Sequence, residues 1–325
     1  MVRPSFTRAQ ITDVDALEAH VSRLIDKIPK DGTTIDLSQL FTRLTMDSAT
    51  EVLFGESTNS LCKKPGSGEV FADAFMRSQV DSFSLHLVPR MPDWLLDWML
   101  DWAPWFSRMG KDIRIVHDFA DSYVNSALSR RQELLDEKTA KEGRYVFLEE
   151  LVRQTEDPIR IRSELLNILT AGRDTTASLL TNVWFMLGKH PEVWQKLQDE
   201  ITTLDDQRPT FERIKNLRYT KAVINETLRL FPPVPVNSRQ ACEDTTIPTG
   251  GGPDGSAPVF AKKGTHFIWT IHSMHRRQDL YGKDAGDFRP ARWLDDPAKG
   301  TKGLRPTWEY LPFNGGPRTC PGQRK

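Results

Sequence analysis

The sequence predicts a mainly α protein with a small β portion, an α+β chain, and three observations carry that expectation. Apolar residues recur at helical spacing from Val14 to Leu230; caps, prolines and glycines bracket the runs; beyond Pro232-Pro233 the texture turns to Pro, Gly and β-branched residues. Thr12 or Asp13 can cap a first run from Val14 to Ile28, ended by Pro29. Asp36 can cap the second, with Leu37, Leu40, Phe41, Leu44 and Ala49 on one face and Gly55 as its stop. A third runs from about Val70 to Leu87, before Pro89-Arg90-Met91-Pro92 and a stretch holding Trp94, Trp98, Trp102 and Trp105. After Pro104 a long amphipathic helix is expected to about Glu137, its stripe made by Ile113, Val116, Phe119, Ala120, Tyr123 and Ala127. Tyr145 to Gln154 makes a short helix. Ile161 to His190 makes one about 45 Å long, at 1.5 Å per residue. Its C-terminal part, Leu179 to Leu187, is apolar nearly all round, as expected of a buried central helix. Glu192–Leu204 and Tyr219–Leu230 follow as helices, with short strands at Pro258–Phe260 and His266–Ile271.

Composition excludes several classes of function. Forty-four basic and 44 acidic residues cancel, so no global field attracts nucleic acid or an anionic surface. No apolar run reaches the length of a bilayer span, and Met1 to Arg8 carries no apolar signal segment. The three cysteines, Cys62, Cys242 and Cys320, are odd in number and far apart, which argues against a disulfide framework and for a reducing compartment.

Local rules break inside the long helix, at Ala171-Gly172-Arg173-Asp174-Thr175-Thr176. Glycine costs about 1 kcal/mol in a helix interior, and paired threonines after an aspartate are poor helix formers. Such a cluster marks function, or else a Thr-bonded bend in a core helix; these six residues alone leave both open. Glu226-x-x-Arg229 places two opposite charges on one helix face. A solvated surface pair is the commoner reading of that spacing, weakened by the apolar neighbours Val223, Ile224, Leu228 and Leu230. The strongest signal is Phe313-Asn314-Gly315-Gly316-Pro317-Arg318-Thr319-Cys320-Pro321-Gly322, a tight loop presenting sulfur near backbone donors. A thiolate held so is a nucleophile or a ligand for a soft metal centre, against the ordinary reading of a lone cysteine as a buried apolar residue.

The pattern Phe313-x-x-Gly316-x-Arg318-x-Cys320-x-Gly322 resembles the haem-binding loop of the cytochrome P-450 monooxygenases. The same family has an acid-alcohol signature, matched by Ala171-Gly172-x-Asp174-Thr175, an E-x-x-R helix, matched by Glu226 and Arg229, and a P-x-R-[FW] segment, matched by Pro290-x-Arg292-Trp293. The phrases Gly250 to Gly255 and Tyr310 to Arg318 are similar to the fungal subfamily that hydroxylates n-alkanes and fatty acids.

The resemblance implies roles for the matched positions. Cys320 is expected as the axial thiolate on the iron of haem b. Arg318 and Arg239 match positions that pair with haem propionates, and Phe313 and Gly316 shape the loop against the porphyrin. Gly172 is expected to leave room for O2, with Thr175 and Asp174 organising proton delivery. Glu226, Arg229 and Arg292 are expected to form a buried charge triad. The implied activity is haem-dependent monooxygenation of an apolar, lipid-like substrate, an n-alkane or a fatty acid, with electrons from an NADPH-dependent flavoprotein reductase and no role for nucleic acid. The implied place is the cytosolic face of the endoplasmic reticulum membrane for a full-length member, although no anchor is visible in this chain.

Departures accompany the match. Ala291 stands where the family has glutamate, and five residues follow Cys320 where the family has a long helix. The expectation is a single, incomplete cytochrome P-450 domain over residues 1–325, lacking its N-terminal portion and the helix after the haem loop. Its alternatives are a catalytically inactive remnant or interaction fragment of such an enzyme, and a haem protein without turnover. His272-x-x-His275 reads as strand-end polar residues rather than a zinc pair, and Gly66-x-Gly68 lacks the third glycine and preceding strand of a dinucleotide site. Lys299 to Lys325 holds six basic groups against Glu309 alone, which suits an acidic reductase or simply a solvated tail.

Overall fold

The computed structural model describes residues 14–62, 67–85, 98, 104–136, 145–204, 210–298, 300–305 and 307–324. Thr12, Asp13, Trp94 and Trp102 lie outside them. The chain divides into two units, Met1–Thr181 with Pro321–Lys325, and Asn182–Cys320.

The first unit is helical. α1 is Val14–Ile25, and α2 is Leu37–Phe54. Both expected ends of α2 form: Asp36 accepts from the Ser38 amide at 2.9 Å, and Gly55 takes the left-handed conformation that closes the helix. α3 covers Ser67–Leu85 and α4 covers Pro104–Ser129. The periodicity that ran on to Glu137 is interrupted at Arg130, and a separate α5 follows over Arg131–Leu135. The break has a tertiary cause. Arg131 donates to the Val152 carbonyl and Arg153 to the Leu134 carbonyl, each at 2.9 Å, tying α5 to α6, Phe147–Gln154.

α7, Pro158–Lys189, is one unbroken helix whose first part belongs to this unit. Ile161, Leu165, Leu169, Arg173 and Ala177 recur every four residues and are all buried. Phe71, Phe75, Val116, Ala120, Phe147 and Leu151 share a core with the first three. Leu24, Phe41, Leu44 and Leu61 form a second cluster with Ala177.

The second unit begins in the end of α7. All-round burial there fails at Trp184 and Phe185, which are about half exposed; Trp184 lies 5.5 Å from Trp194, and Lys189 sits over the Phe185 ring. α8 is Pro191–Thr202, α9 is Phe211–Lys215 and α10 is Arg218–Leu230. Met186, Leu187, Val193, Leu197, Val223 and Phe288 pack this core. Two antiparallel strand pairs follow, the second a hairpin nested in sequence between the strands of the first. β1, Val236–Gln240, pairs with β4, His266–Thr270, and β2, Thr245–Gly251, pairs with β3, Ala257–Ala261. Short helices α11, Ile271–Met274, and α12, Gln278–Tyr281, lead to a 3-10 turn at Pro290–Trp293. Among the described residues no helix is long and apolar enough to cross a membrane.

Candidate functional site

Gly172, Asp174 and Thr175 lie in the interior of α7, which continues through them without a break. The Thr175 hydroxyl donates to the Ala171 carbonyl at 2.7 Å, one turn back, and Thr170 and Thr181 bond in the same way. The Thr170 oxygen also accepts from Gln79 Nε2 at 3.3 Å, which shows that a hydroxyl donating back to its own helix can still accept. Asp174 is half exposed and receives Arg173 Nη1 at 2.6 Å. Burial pushes its carboxyl above the usual carboxylate range, while the Arg173 charge opposes the rise.

Arg173 itself went unassigned in the motif. It occupies the buried face of α7, 5.4 Å from the Phe75 ring centroid, with no partner for its Nε. The four-residue recurrence from Ile161 to Ala177 is the signal that places a cation on that face.

In the second unit the structure brings Glu226, Arg229 and Arg292 together. Glu226 and Arg229 are fully buried on α10 and Arg292 is nearly so. Arg229 grips the carboxylate with two bonds, Nε to Oε2 at 2.8 Å and Nη2 to Oε1 at 2.9 Å. Arg292 Nε reaches Oε1 at 2.9 Å, the Arg289 amide reaches Oε1 at 3.0 Å, and the Trp293 indole reaches Oε2 at 3.0 Å. Burial raises the Glu226 carboxyl, but the bonds and charges of the arginines outweigh it and hold the group below its ordinary value.

The remaining donors of both arginines end on carbonyls, and Arg292 also pairs with the Asp284 carboxylate at 3.3 Å. Arg229 donates to His275, Ala285 and Asp287, and Arg292 to Tyr281 and Asp284. No ion in this cluster is left without a partner, which is the condition under which a buried charge is tolerated. The contributions of Arg289, Trp293, Asp284 and His275 were not read from the sequence, because backbone and indole donors leave no mark in charge spacing.

The cysteine loop is shaped by its own backbone. The Cys320 amide donates to the Phe313 carbonyl at 2.8 Å, and the Thr319 amide and hydroxyl both donate to the Gly316 carbonyl. Asn314 and Gly316 adopt positive φ, 59° and 68°, on either side of Gly315. A Cβ on Gly315 would stand 2.4 Å from the Trp308 ring, so the loop lies directly against that indole. A Cβ on Gly316 would meet nothing within 4 Å.

Cys320 and Arg318 are exposed, and Phe313 is half-buried. Arg239 is exposed on β1, 5.5 Å from the Trp269 ring centroid. Asn237, two residues earlier and so on the same face of the strand, donates to Asn314 of the loop at 3.2 Å. An exposed thiol beside open space at Gly316, with two exposed guanidiniums on the same unit, is a donor set that fits haem: one soft axial ligand and cations for carboxylates. Cys242 differs, its thiol turned to the Gln240 carbonyl. The Gly172-Asp174-Thr175 segment belongs to the first unit, and the cysteine loop, Arg239 and the triad to the second.

The sequence profile of the family described as Cytochrome P450 matches residues 7–324. The chain is 43% identical over 332 residues to the cytochrome P450 monooxygenase himC of Aspergillus japonicus, covering 100% of this chain and 56% of that protein. It is 44% identical over 345 residues to cytochrome P450 52A6 of Candida tropicalis, covering 100% of this chain and 62% of that one. Against cytochrome P450 52A1 of the same yeast the identity is 45% over 342 residues, covering 100% and 60%. The chain therefore spans about 56 to 62% of the length of these curated relatives.

Proposed function

The chain belongs to the cytochrome P450 family, and from that premise we propose that it carries the thiolate-ligand and proton-handling parts of a haem monooxygenase acting on lipid-like substrates, n-alkanes or fatty acids. One observation carries the reading best: the closed, fully satisfied cluster of Glu226, Arg229 and Arg292 lies in the same unit as the loop that exposes Cys320. Both units are read as parts of one cytochrome P450 domain.

Haem b, when bound, supplies an iron centre at which O2 is activated for insertion of one oxygen atom into a C–H bond. Cys320 would hold that iron through its sulfur, with Phe313 and Gly316 setting the loop against the ring and Arg318 and Arg239 pairing with its carboxylates. Gly172 removes a side chain one turn before Thr175, on the same face of α7 as that hydroxyl. Thr175 can accept a proton-bearing donor at its oxygen while its own proton rests on Ala171, and Asp174, held by Arg173, can exchange a proton with solvent through its exposed side.

Electrons would come from an NADPH-dependent flavoprotein reductase, and the whole protein would work at the cytosolic face of the endoplasmic reticulum membrane. The substrate class rests on the similarity of Gly250 to Gly255 and Tyr310 to Arg318 to alkane- and fatty-acid-hydroxylating proteins of fungi. A pocket for such chains is lined by apolar side chains, because an alkyl tail offers no directional contacts. The test is a hemin titration of the chain followed by reduction under CO and by spectral titration with lauric acid and an alkane. A thiolate-type band and a substrate-induced shift with either lipid are expected. A shift with small polar aromatics and none with the lipids would overturn the substrate class.

A further inference from the structure

His275 follows α11 and is completely buried, yet nothing in the motifs gives it a role. Its ring has two polar contacts, and together they fix its state. The Leu311 amide donates to Nε2 at 2.9 Å, so Nε2 is unprotonated, and the ring proton sits on Nδ1, 3.2 Å from the Arg229 carbonyl. The His275 carbonyl in turn receives Arg229 Nη1 at 2.7 Å. The ring stacks on Tyr310 with centroids 5.1 Å apart, and Tyr310 is pinned through its hydroxyl to the Asn225 carbonyl on α10.

Leu311 is a consequential anchor. Pro312 follows it and has no N–H, so the Leu311 amide is the last backbone donor before Phe313. The Leu311 carbonyl accepts the Asn314 amide, and the Phe313 carbonyl accepts the Cys320 amide. A continuous line of bonds therefore runs from Arg229 through the imidazole to Leu311 and on to the sulfur-bearing residue, all within the second unit.

We propose that His275 is a positioning residue, transmitting the fixed geometry of the Glu226–Arg229–Arg292 cluster to the Cys320 loop through the Leu311 amide. The consequence for an iron ligand rests on the reading of Cys320 given above; the coupling itself does not. An imidazole suits this place because it donates and accepts on opposite edges of one rigid ring.

The test is amide hydrogen exchange of the full chain without hemin, in His275→Phe and His275→Gln. Phenylalanine keeps the stacking and removes both bonds, whereas the glutamine amide can still accept from Leu311. In His275→Phe, Leu311 and Cys320 should exchange about tenfold faster, the loss of one buried hydrogen bond, while Glu226 to Arg229 keep their protection. His275→Gln should recover most of it. With hemin added, the reduced-CO band of the phenylalanine variant should move from the thiolate toward the thiol type. Unchanged exchange at Leu311 and Cys320, or an equal rise throughout the unit in both variants, would overturn the coupling. The expected exchange pattern in a chain whose parent lacks any thiolate-type band would uphold the coupling and overturn only the haem reading.

Discussion

The indole of Trp293 donates to Oε2 of Glu226 at 3.0 Å, bringing an aromatic side chain into a charge cluster otherwise built from guanidiniums and backbone. Each carboxylate oxygen is thereby engaged from two directions or more, and the segment that follows Arg289 is fixed to α10 by side chain and main chain together.

Glu226→Gln preserves the shape of that hub and removes its charge. Two buried guanidiniums then face a neutral amide, with Asp284 at the edge as the remaining acid. We expect a loss of about 3–5 kcal/mol in urea unfolding of the chain. A loss below about 1 kcal/mol would return the pair to the class of solvated surface charges.

Cys320→Ala should abolish the thiolate-type reduced-CO band of the hemin-loaded chain, and alanine at Cys62 or Cys242 should leave it in place. Persistence of the band without Cys320 sinks the ligand assignment.

Thr175→Ala removes a hydroxyl whose one intramolecular bond closes on its own helix, so melting should barely change. In a preparation turned over with a reductase, peroxide formed per NADPH should rise severalfold. Unaltered coupling would make Thr175 a packing residue of α7 and nothing more.

Acid sensitivity follows from His275. Burial, with the charges of Arg229 and Arg276, pushes its pKa down from 6.5 to about 4, against the bond to the Arg229 carbonyl. Tyr281 and Tyr310 flank the ring and stay neutral in this range. Above pH 6.5 neither folded nor unfolded chain protonates this group. Between about 6.5 and 4 only the unfolded chain takes up the proton, so stability falls with falling pH by up to about 3 kcal/mol. The depressed Glu226 adds its own loss at lower pH still, as its carboxylate is protonated. Urea midpoints in this window should lose that slope in His275→Phe, and an equal slope in the variant would place the titrating group elsewhere.

Gly68→Ala should destabilise, although the same change in an exposed helix gains about 1 kcal/mol. A Cβ there would lie 2.3 Å from the Thr58 carbonyl oxygen, so backbone must move, at a cost of about 1–3 kcal/mol. A raised urea midpoint would mean that the approach of Gly68 to Thr58 is not a constraint.

Gly68 also shows how far the sequence could be read. The spacing Gly66-x-Gly68 gives no reason for glycine at position 68; that reason is a close approach to Thr58 that only coordinates display. Helices with marked ends were legible, as at Asp36 and Gly55, where one cap and one left-handed residue decide the boundary. β1 and β2 were not. Val236-Asn237-Ser238-Arg239-Gln240 is largely exposed, so no alternation of apolar residues betrays it. α11 and α12 are single turns, too short for any period to show.

At the candidate site, spacing offered only the Glu226–Arg229 pair, more commonly a surface one; the family resemblance implied the triad with Arg292, and the three do meet. The partners that complete their bonding are carbonyls, an amide, an indole and the distant Asp284 carboxylate. Those are matters of approach, not of composition.

The bonds around Glu226 also impose an order in time on the growing polypeptide. Arg229 follows the glutamate by three residues, but Arg289, Arg292 and Trp293 follow by 63, 66 and 67. At about 5–20 residues per second, the carboxylate leaves the ribosome several seconds before the rest of its partners. During that interval α10 can form around one ion pair, while the interior it will occupy stays open to water. Closure of the second unit is therefore a late event in synthesis, and the segment that completes it is made only some 27 residues before the cysteine at position 320.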